Sequence, residues 1–314
     1  MRIRPDSLNT TYSIVARDPA TGNFGAAVQT HQMCVGSAVP WLEAGAGVIA
    51  TQSLTNLHYG PLGLRMLREG VHAEKVLAAL VASDPKPGLR QAAVIDREGR
   101  AAAWTGEQCI GYAGHYVGEA FSVQANMMLS DQVVAAMAKA YVASKEDFPG
   151  RLMDALLAAQ QEGGDIRGMQ SAALRVVSGA MYEEDGLAAV RAEYDVRVDE
   201  NEKPLVELGR LVRLRRAQLL SNEGNRQLDA GDMEGALKIW ARAREMGPEL
   251  DELVFWQALA LADEPADVKG AAALLGMMLE QVPNSDHWVE LLRRLEPTGI
   301  VERGGAVREL LEAL

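Results

Sequence analysis

The sequence predicts an α+β protein in which two β-sheets, packed between helical layers, are followed by an all-helical repeat region. Three observations predict this fold class. Short β-like runs alternate with pairs of helical patterns between residue 11 and about residue 199. Every segment beyond a polar linker at residues 199–204 has helical periodicity. Two stretches of that second region repeat the same residue types 35 residues apart.

The elements of the first region follow a regular order. The first β group contains strands at residues 11–17 and 23–30, joined by the turn-forming sequence Asp18-Pro19-Ala20-Thr21-Gly22, and a third strand at 45–52. Helices follow at 62–69 and 73–82. The second half predicts strands at 91–95, 101–105 and 120–125, helices at 130–143 and 150–161, and closing strands at 171–177 and 194–198. This order suits a four-layer αββα sandwich, because each sheet must cover one face with helices and the other with its partner.

Composition narrows the classes of function. The 314 residues suffice for two domains, and no apolar run reaches the ~18 residues of a membrane span. The first ten residues have no apolar core after their two arginines, so no secretory signal is predicted. A net charge of −12 disfavours nucleic acid and anionic membranes as partners. The expected partners are small molecules or other proteins.

Neither a metal nor a cofactor is predicted. Cys34 and Cys109 are too few for a disulfide framework and lack zinc spacing, so two reduced thiols and a cytoplasmic location are expected. The five histidines show no ligand spacing, and no glycine-rich phosphate-binding loop precedes a helix.

The domain boundaries follow from these patterns: an extension at residues 1–10, the α+β domain at 11–203, and the helical domain at 204–314. The helical domain resembles a tetratricopeptide array, although Gln227 stands where that repeat usually has an aromatic residue. The positions that carry the resemblance are Gly231, Ala236, Trp240, Ala243 and Pro248, then Ala271, Leu275, Met278 and Pro283. Such an array implies a protein or peptide partner. Its tryptophans form either the repeat core or the lining of a peptide groove; they are Trp240, Trp256 and Trp288.

Thr11 provides the first indication of chemistry. A threonine that opens a buried strand is what an N-terminal-nucleophile (Ntn) enzyme requires, because the freed α-amine, with a pKa near 8, serves as the base for its own hydroxyl. No His or Asp partner is then needed. Strands also begin with threonine because of its β propensity, so the structural alternative stays open.

Several segments of the first domain together resemble one bacterial family. They are residues 11–18 and 45–52, Arg90-Gln91, Thr105-Gly106, Val123-Gln124-Ala125-Asn126 and the run from Gly163 to Ala173. The Gly-Gly-Asp-x-Arg-Gly-x-Gln-Ser sequence in that last run is the most specific part. The family is the domain of unknown function ten twenty-eight, which is placed by fold in the Ntn-hydrolase superfamily. The resemblance covers residues 11–180 and implies an αββα sandwich without naming a substrate.

This sequence departs from the family pattern at two positions. Family members usually have Met directly before the threonine that aligns with Thr11, whereas ten residues precede Thr11 here. The amine is therefore held in the Thr10–Thr11 peptide bond unless the chain is cut there. Ala125 replaces a glycine that often precedes the asparagine matching Asn126, so its methyl group is expected to crowd the site.

Four residues are predicted as catalytic: Thr11, Asn126, Asp165 and Arg167. Asn126 either donates to an oxyanion or turns the chain before a helix. Asp165 and Arg167 either bracket a polar substrate or pair with each other to hold their loop. The predicted substrate-binding residues are Gln52, Asn56, Gln124, Gln170 and Ser171.

Three functions remain open at this level. The first is a cofactor-independent amide or C–N hydrolase that uses Thr11 after cleavage. The second is a catalytically inactive Ntn fold that binds a ligand or acts as a scaffold. The third is hydrolysis by an internal nucleophile such as Ser13, for which the sequence shows no nearby base. A homo-oligomer is expected in each case.

Overall fold

The computed structural model describes residues 8–9, 11–180, 192–263 and 266–314. The predicted N-terminal extension lies outside the described residues except at Leu8 and Asn9. The chain forms two compact units, Met1–Val212 and Arg213–Leu314. The division lies within a long helix, α5 (Pro204–Asp229), rather than at the polar linker before it.

The first unit contains two antiparallel sheets. The five-stranded sheet has the order β1-β5-β6-β7, with β4 also paired to β5. Its strands are β1 (Leu8–Asn9), β4 (Pro40–Glu43), β5 (Gly47–Leu54), β6 (Arg90–Asp96) and β7 (Ala101–Thr105). The six-stranded sheet has the order β11-β10-β3-β2-β9-β8. Its strands are β2 (Thr11–Arg17), β3 (Phe24–Thr30), β8 (Gly114–Gly118), β9 (Phe121–Ala125), β10 (Ser171–Val177) and β11 (Tyr194–Val198).

Each sheet carries its own pair of helices. Helices α1 (Tyr59–Arg68) and α2 (Ala73–Ser83) pack on the five-stranded sheet, whereas α3 (Val133–Ala143) and α4 (Phe148–Gln161) pack on the six-stranded sheet. The faces without helices meet in an apolar cluster to which β2, β3, β5 and β6 all contribute. The predicted α+β class with antiparallel sheets is confirmed.

The β2–β3 hairpin forms for local reasons. The Asp18 carboxylate accepts hydrogen bonds from the Ala20 and Thr21 backbone N–H groups and from the Thr21 hydroxyl. Gly22 completes the turn at φ +80°, a left-handed conformation that glycine adopts without steric cost. This Asx turn sets the register, so that Thr11 lies opposite Thr30 at the far end of the hairpin.

Three strands were missed by the sequence patterns. β4 has four residues and begins with proline, and β8 is largely exposed with glycine at both ends. Both lie at sheet edges, where burial imposes little periodicity. β1 is a two-residue pairing with β5 that depends on the fold.

The second unit is helical, as predicted. It contains the end of α5 followed by α6 (Met233–Met246), α7 (Asp251–Asp263), α8 (Val268–Gln281), α9 (Asp286–Leu295) and α10 (Ala306–Ala313). Its core is one apolar cluster centred on Trp240, Phe255 and Leu275. The alanine and larger apolar positions of both predicted repeats are buried, whereas Gly231 is exposed. Helices α6 and α8 end just before Pro248 and Pro283.

The 35-residue spacing also recurs in the helix caps. The Asp232 carboxylate accepts from the Gly235 N–H at 2.9 Å, and the Asp267 carboxylate accepts from the Gly270 N–H at 2.9 Å. Each aspartate satisfies a backbone donor that the first turn of a helix leaves free. The 35-residue recurrence in the sequence therefore includes residues that form hydrogen bonds as well as buried residues.

Candidate functional site

The space between the two sheets changes from apolar to polar along each strand. In β5 the inward side chains run Val48, Ala50, Gln52. Because alternate residues of a strand point to one face, this period of two places polar side chains together at one end of the space. Buried polar side chains at that end include Thr11, Ser13, Gln52, Gln91, Ser122, Gln124 and Asn126. We define them as the amide network.

Thr11 lies at the start of β2 and is fully buried. Its carbonyl oxygen accepts from the Asn126 N–H at 3.1 Å, the Gln52 Nε2 at 3.2 Å and the Asn126 Nδ2 at 3.5 Å. Its hydroxyl oxygen has no hydrogen-bond partner among the described residues. A buried hydroxyl without a partner carries a desolvation cost of about 1–3 kcal/mol, so this position is unusual for a purely structural threonine.

The hydrogen bonds of the amide network run in one direction. The Ser122 hydroxyl donates to Gln124 Oε1 at 3.0 Å, and Gln124 Nε2 donates to the Ser13 hydroxyl at 2.6 Å. Ser13 donates to Gln52 Oε1 at 2.6 Å, and Gln52 Nε2 donates to Gln91 Oε1 at 2.7 Å. Each amide therefore has its orientation determined by its neighbours. Ser13 lies between two neutral amides and has no base beside it, so the geometry does not favour it as a nucleophile.

Asn126 joins the network directly. Its Nδ2 donates to Gln91 Oε1 at 2.9 Å, and its backbone N–H binds the Thr11 carbonyl. The side chain thus holds Thr11 in place, and its oxyanion role stays a prediction. Ala125 does not crowd the network, because alternate side chains of β9 point to opposite faces and its methyl group points away from Gln91.

Asp165 and Arg167 pair with each other. The Arg167 guanidinium donates to both carboxylate oxygens of Asp165, at 3.1 and 2.8 Å. The buried Asp165 carboxylate also accepts from the backbone N–H groups of His31 and Arg167. These bonds tie the loop after α4 to the end of β3, in agreement with the structural alternative. A contact between this pair and a substrate stays a prediction.

Gln170 and Ser171 connect the start of β10 to neighbouring chain segments. The Gln170 backbone N–H donates to the Thr30 carbonyl, and its carbonyl accepts from Asn201. The Ser171 hydroxyl donates to the Gln32 carbonyl and accepts from the Val35 N–H at 3.2 Å. Ser171 thus holds the loop after β3, and Gln170 binds the last residue of β3. Gln52 and Gln124, in contrast, belong to the amide network.

Asn56 belongs to a different cluster. Its amide donates to Asp84 at 2.8 Å, and Asp84 also accepts from the Arg90 guanidinium at 2.8 Å. Burial by itself raises the pKa of the Asp84 carboxyl, but the hydrogen bonds from Arg90, Asn56 and the Lys86 N–H outweigh it and lower the pKa to about 2. The cluster ties the loop after β5 to the end of α2.

The Asp84 cluster predicts a specific acid dependence. A carboxylate with a folded-state pKa of about 2 and an ordinary value of 3.8 stabilises the fold above pH 4 and loses that contribution as the pH falls towards 2. Asp84→Asn should therefore cost about 2 kcal/mol at pH 6, and the difference from wild type should shrink between pH 4 and pH 2. Denaturant unfolding across this range measures it. Asp131→Asn, at an exposed aspartate, is the control and should change stability little at any pH. A stability difference between Asp84→Asn and wild type that stays constant with pH would contradict the lowered pKa of Asp84.

Three residues of this region were not among the predicted sites: Gln91, Thr105 and His115. Gln91 Nε2 donates to the Thr105 hydroxyl at 2.9 Å, and that hydroxyl lies 2.8 Å from His115 Nδ1. Gln91, Ala93 and Ile95 alternate along β6, so one face of that strand has a polar residue at one end and apolar residues after it, as in β5. This similarity to β5 is the sequence feature from which Gln91 could have been predicted. No local pattern indicated that Thr105 and His115 would meet.

Thr105 and His115 border an open groove of about 490 Å³. The other residues that line the groove are Gly106, Glu107, Cys109, Gly111, Ala113 and Gly114. The groove lies where β7 and β8, the edge strands of the two sheets, approach each other. The amide network thus extends from buried Thr11 to a solvent-accessible surface.

The second unit has a groove of about 580 Å³ at the ends of α6 and α8. Its apolar lining includes Pro248, Val254, Met277 and Pro283. Trp240 is fully buried in the apolar core of the helical unit and is not part of this lining. The predicted peptide partner stays a prediction.

Two findings concern metals and membranes. The described residues contain no group of three or more His, Cys, Asp or Glu side chains that could hold a metal ion. In the described ranges, no helix is both long and apolar enough to cross a bilayer.

Comparison with known proteins assigns the chain to a family. It is similar in structure to protein SPO2555 from Silicibacter pomeroyi, a DUF1028 protein of known crystal structure, with a TM-score of 0.58 and 31% sequence identity over 65% of this chain and 88% of that chain. The model of the family of unknown function DUF1028 matches residues 11–208. The chain belongs to this family, as its sequence resemblance predicted. No curated protein matches the chain in sequence.

Proposed function

We propose that this protein is a cofactor-independent hydrolase of amide or other C–N bonds, with Thr11 as its nucleophile after cleavage of the Thr10–Thr11 bond. The observation that carries the proposal is the buried Thr11 hydroxyl, which has no partner among the described residues, beside a preorganised set of amide donors. The two helix pairs and two sheets correspond in this proposal to the αββα sandwich of Ntn hydrolases.

The position of the preceding segment supports the need for cleavage. Leu8 and Asn9 pair with Leu54 and Ser53 of β5, whereas Thr11 pairs with Thr30 in the other sheet. The chain therefore crosses from one sheet to the other immediately before Thr11. Hydrolysis of the Thr10–Thr11 bond by water would free the α-amine and allow this segment to leave.

The freed residue has the groups that acyl transfer requires. The Thr11 amine, with a pKa near 8 in its unperturbed state, takes the hydroxyl proton as Oγ bonds to the substrate carbonyl carbon. The C–N bond then breaks, the leaving amine receives the proton, and water hydrolyses the resulting ester. In this scheme Gln52 and Asn126 are positioning residues, because their amides hold the Thr11 carbonyl.

Thr11→Val separates catalysis from stability. Valine has nearly the same shape and removes the unpartnered hydroxyl, so the free energy of unfolding should rise by about 1 kcal/mol while the nucleophile is lost. In wild type, intact mass spectrometry should detect a species that begins at Thr11, and a β-lactone probe should label that residue. Thr11→Ser should keep both properties, and Thr11→Val should lose both.

The competing function is an inactive Ntn fold that binds a ligand or acts as a scaffold. The complete burial of Thr11 in the intact chain favours it. A chain that retains residues 1–10 under every condition and gives no probe adduct at Thr11 would refute the hydrolase proposal and support this alternative.

We also propose that the helical unit is a tetratricopeptide-like array. The support is the 35-residue recurrence of the Asp–Gly cap and of the buried positions in α6 and α8. The apolar groove at the ends of these helices is the site at which the predicted peptide partner would bind.

A further inference from the structure

The amide network ends in a hydroxyl–imidazole pair at the surface. Thr105 is the last residue of β7, and His115 lies in β8, so the pair joins the edge strands of the two sheets. The Thr105 hydroxyl is half-buried, and His115 is exposed. The 2.8 Å distance between Thr105 Oγ1 and His115 Nδ1 is that of a hydrogen bond.

The network determines the orientation of the Gln91 amide beside this pair. Gln91 Oε1 accepts from both Gln52 and Asn126, so the other end of that amide must be the donor nitrogen. This nitrogen lies beside two carbonyl oxygens, those of Gly114 and Ala125, which requires the same orientation. Gln91 Nε2 lies 2.9 Å from Thr105 Oγ1, and when His115 carries its hydrogen on Nε2, the Thr105 hydroxyl donates to His115 Nδ1.

The two side chains have the protonation states that this arrangement requires. Partial desolvation of the His115 ring lowers its pKa, so its neutral form, able to take a proton, dominates at neutral pH. Burial raises the pKa of Cys109, the other nucleophile type in the groove, and its thiol donates to the Arg90 carbonyl. Cys109 is therefore held as a thiol, and Thr105 is the better-activated group.

We propose that Thr105 and His115 form a second, cleavage-independent catalytic site, in which Thr105 is the nucleophile and His115 the general base for hydrolysis of small esters. Thr105 Oγ bonds to the ester carbonyl carbon as its proton passes to His115 Nδ1. The bond to the alcohol oxygen breaks, and His115 returns the proton to that oxygen. Water then attacks the acyl-Thr105 ester through the same base, which releases the acid and restores the hydroxyl.

The groove limits the substrate class. Four of its eight lining residues are glycine or alanine, whose small size leaves room for a substrate beside the Thr105 hydroxyl. Glu107 also lines the groove, and its negative charge disfavours anionic substrates. The expected substrates are uncharged esters with a short acyl chain. Because this site needs no free α-amine, it goes beyond the hydrolase proposed at Thr11.

Hydrolysis of p-nitrophenyl acetate by the full-length chain, shown by intact mass to retain its first ten residues, tests the proposal. Thr105→Val and His115→Gln should each lower the second-order rate constant by about 100-fold, which is the range of general-base catalysis. Thr105→Ser should retain activity. Peptide mapping after rapid acid quench should find the acetyl group on Thr105, or on the serine that replaces it.

Surface imidazoles hydrolyse this ester without a designed site, so the exposed His58 provides the matched control. His58→Gln should leave the rate unchanged. If Thr105→Val hydrolyses the ester at the wild-type rate, or if the acetyl group is found elsewhere, the proposal is overturned. Circular dichroism checks that each variant is folded. If Thr105→Val does not fold, the comparison of Thr105→Ser with wild type decides the test.

Discussion

Replacement of Gln91 by leucine should lower the stability of the first unit by more than about 3 kcal/mol. The Gln91 amide accepts from Gln52 and Asn126, and its nitrogen lies within hydrogen-bond distance of the Thr105 hydroxyl and two backbone carbonyls. Leucine is similar in size, so the variant creates little cavity. It instead leaves buried donors and acceptors without partners, at about 1–3 kcal/mol for each group.

Native-state hydrogen exchange measures this effect within the first unit, because mass spectrometry assigns the opening free energy to peptides of β5 and β6. Gln161→Leu makes the same chemical change at the exposed end of α4 and should alter stability by no more than about 0.5 kcal/mol. Equal losses of stability in the two variants would show that the hydrogen bonds of the amide network do not add to the stability of the first unit.

Trp240→Ala should destabilise the second unit by about 3–5 kcal/mol. The indole is fully buried, and its N–H donates to the Ser221 carbonyl and to Asn225 Oδ1, each at 3.1 Å. Gly224 leaves the space that the ring fills, since a Cβ atom there would lie 2.3 Å from the ring. Alanine would leave a large cavity, and neighbouring backbone would have to move to close it.

Exchange of peptides from α6, α7 and α8 reports this loss. Trp256→Ala is the matched control, because that tryptophan is 38% exposed and its removal should cost only about 1 kcal/mol. A small effect of Trp240→Ala, comparable with that of the control, would mean that Trp240 is not the centre of the apolar core of the helical unit.

The order of the elements and the family were predictable from the sequence, because the signals for both are local. The Asp18–Gly22 turn, the period-two strands and the 35-residue repeat depend on residues close together in the chain. Thr11, Gln52 and Asn126 were likewise identified from their positions at strand ends, whereas Gln124 was identified from the family resemblance.

The tertiary structure decided which of those strand ends meet. Gln91 connects Gln52 and Asn126 to Thr105 and His115 through bonds between distant segments, and the sequence patterns contained no information on such pairing. The edge strand that carries His115 is too exposed to have a hydrophobic period. Local periodicity thus determines which face of a strand is buried, whereas the hydrogen-bond partners of a buried polar side chain depend on how the sheets pack.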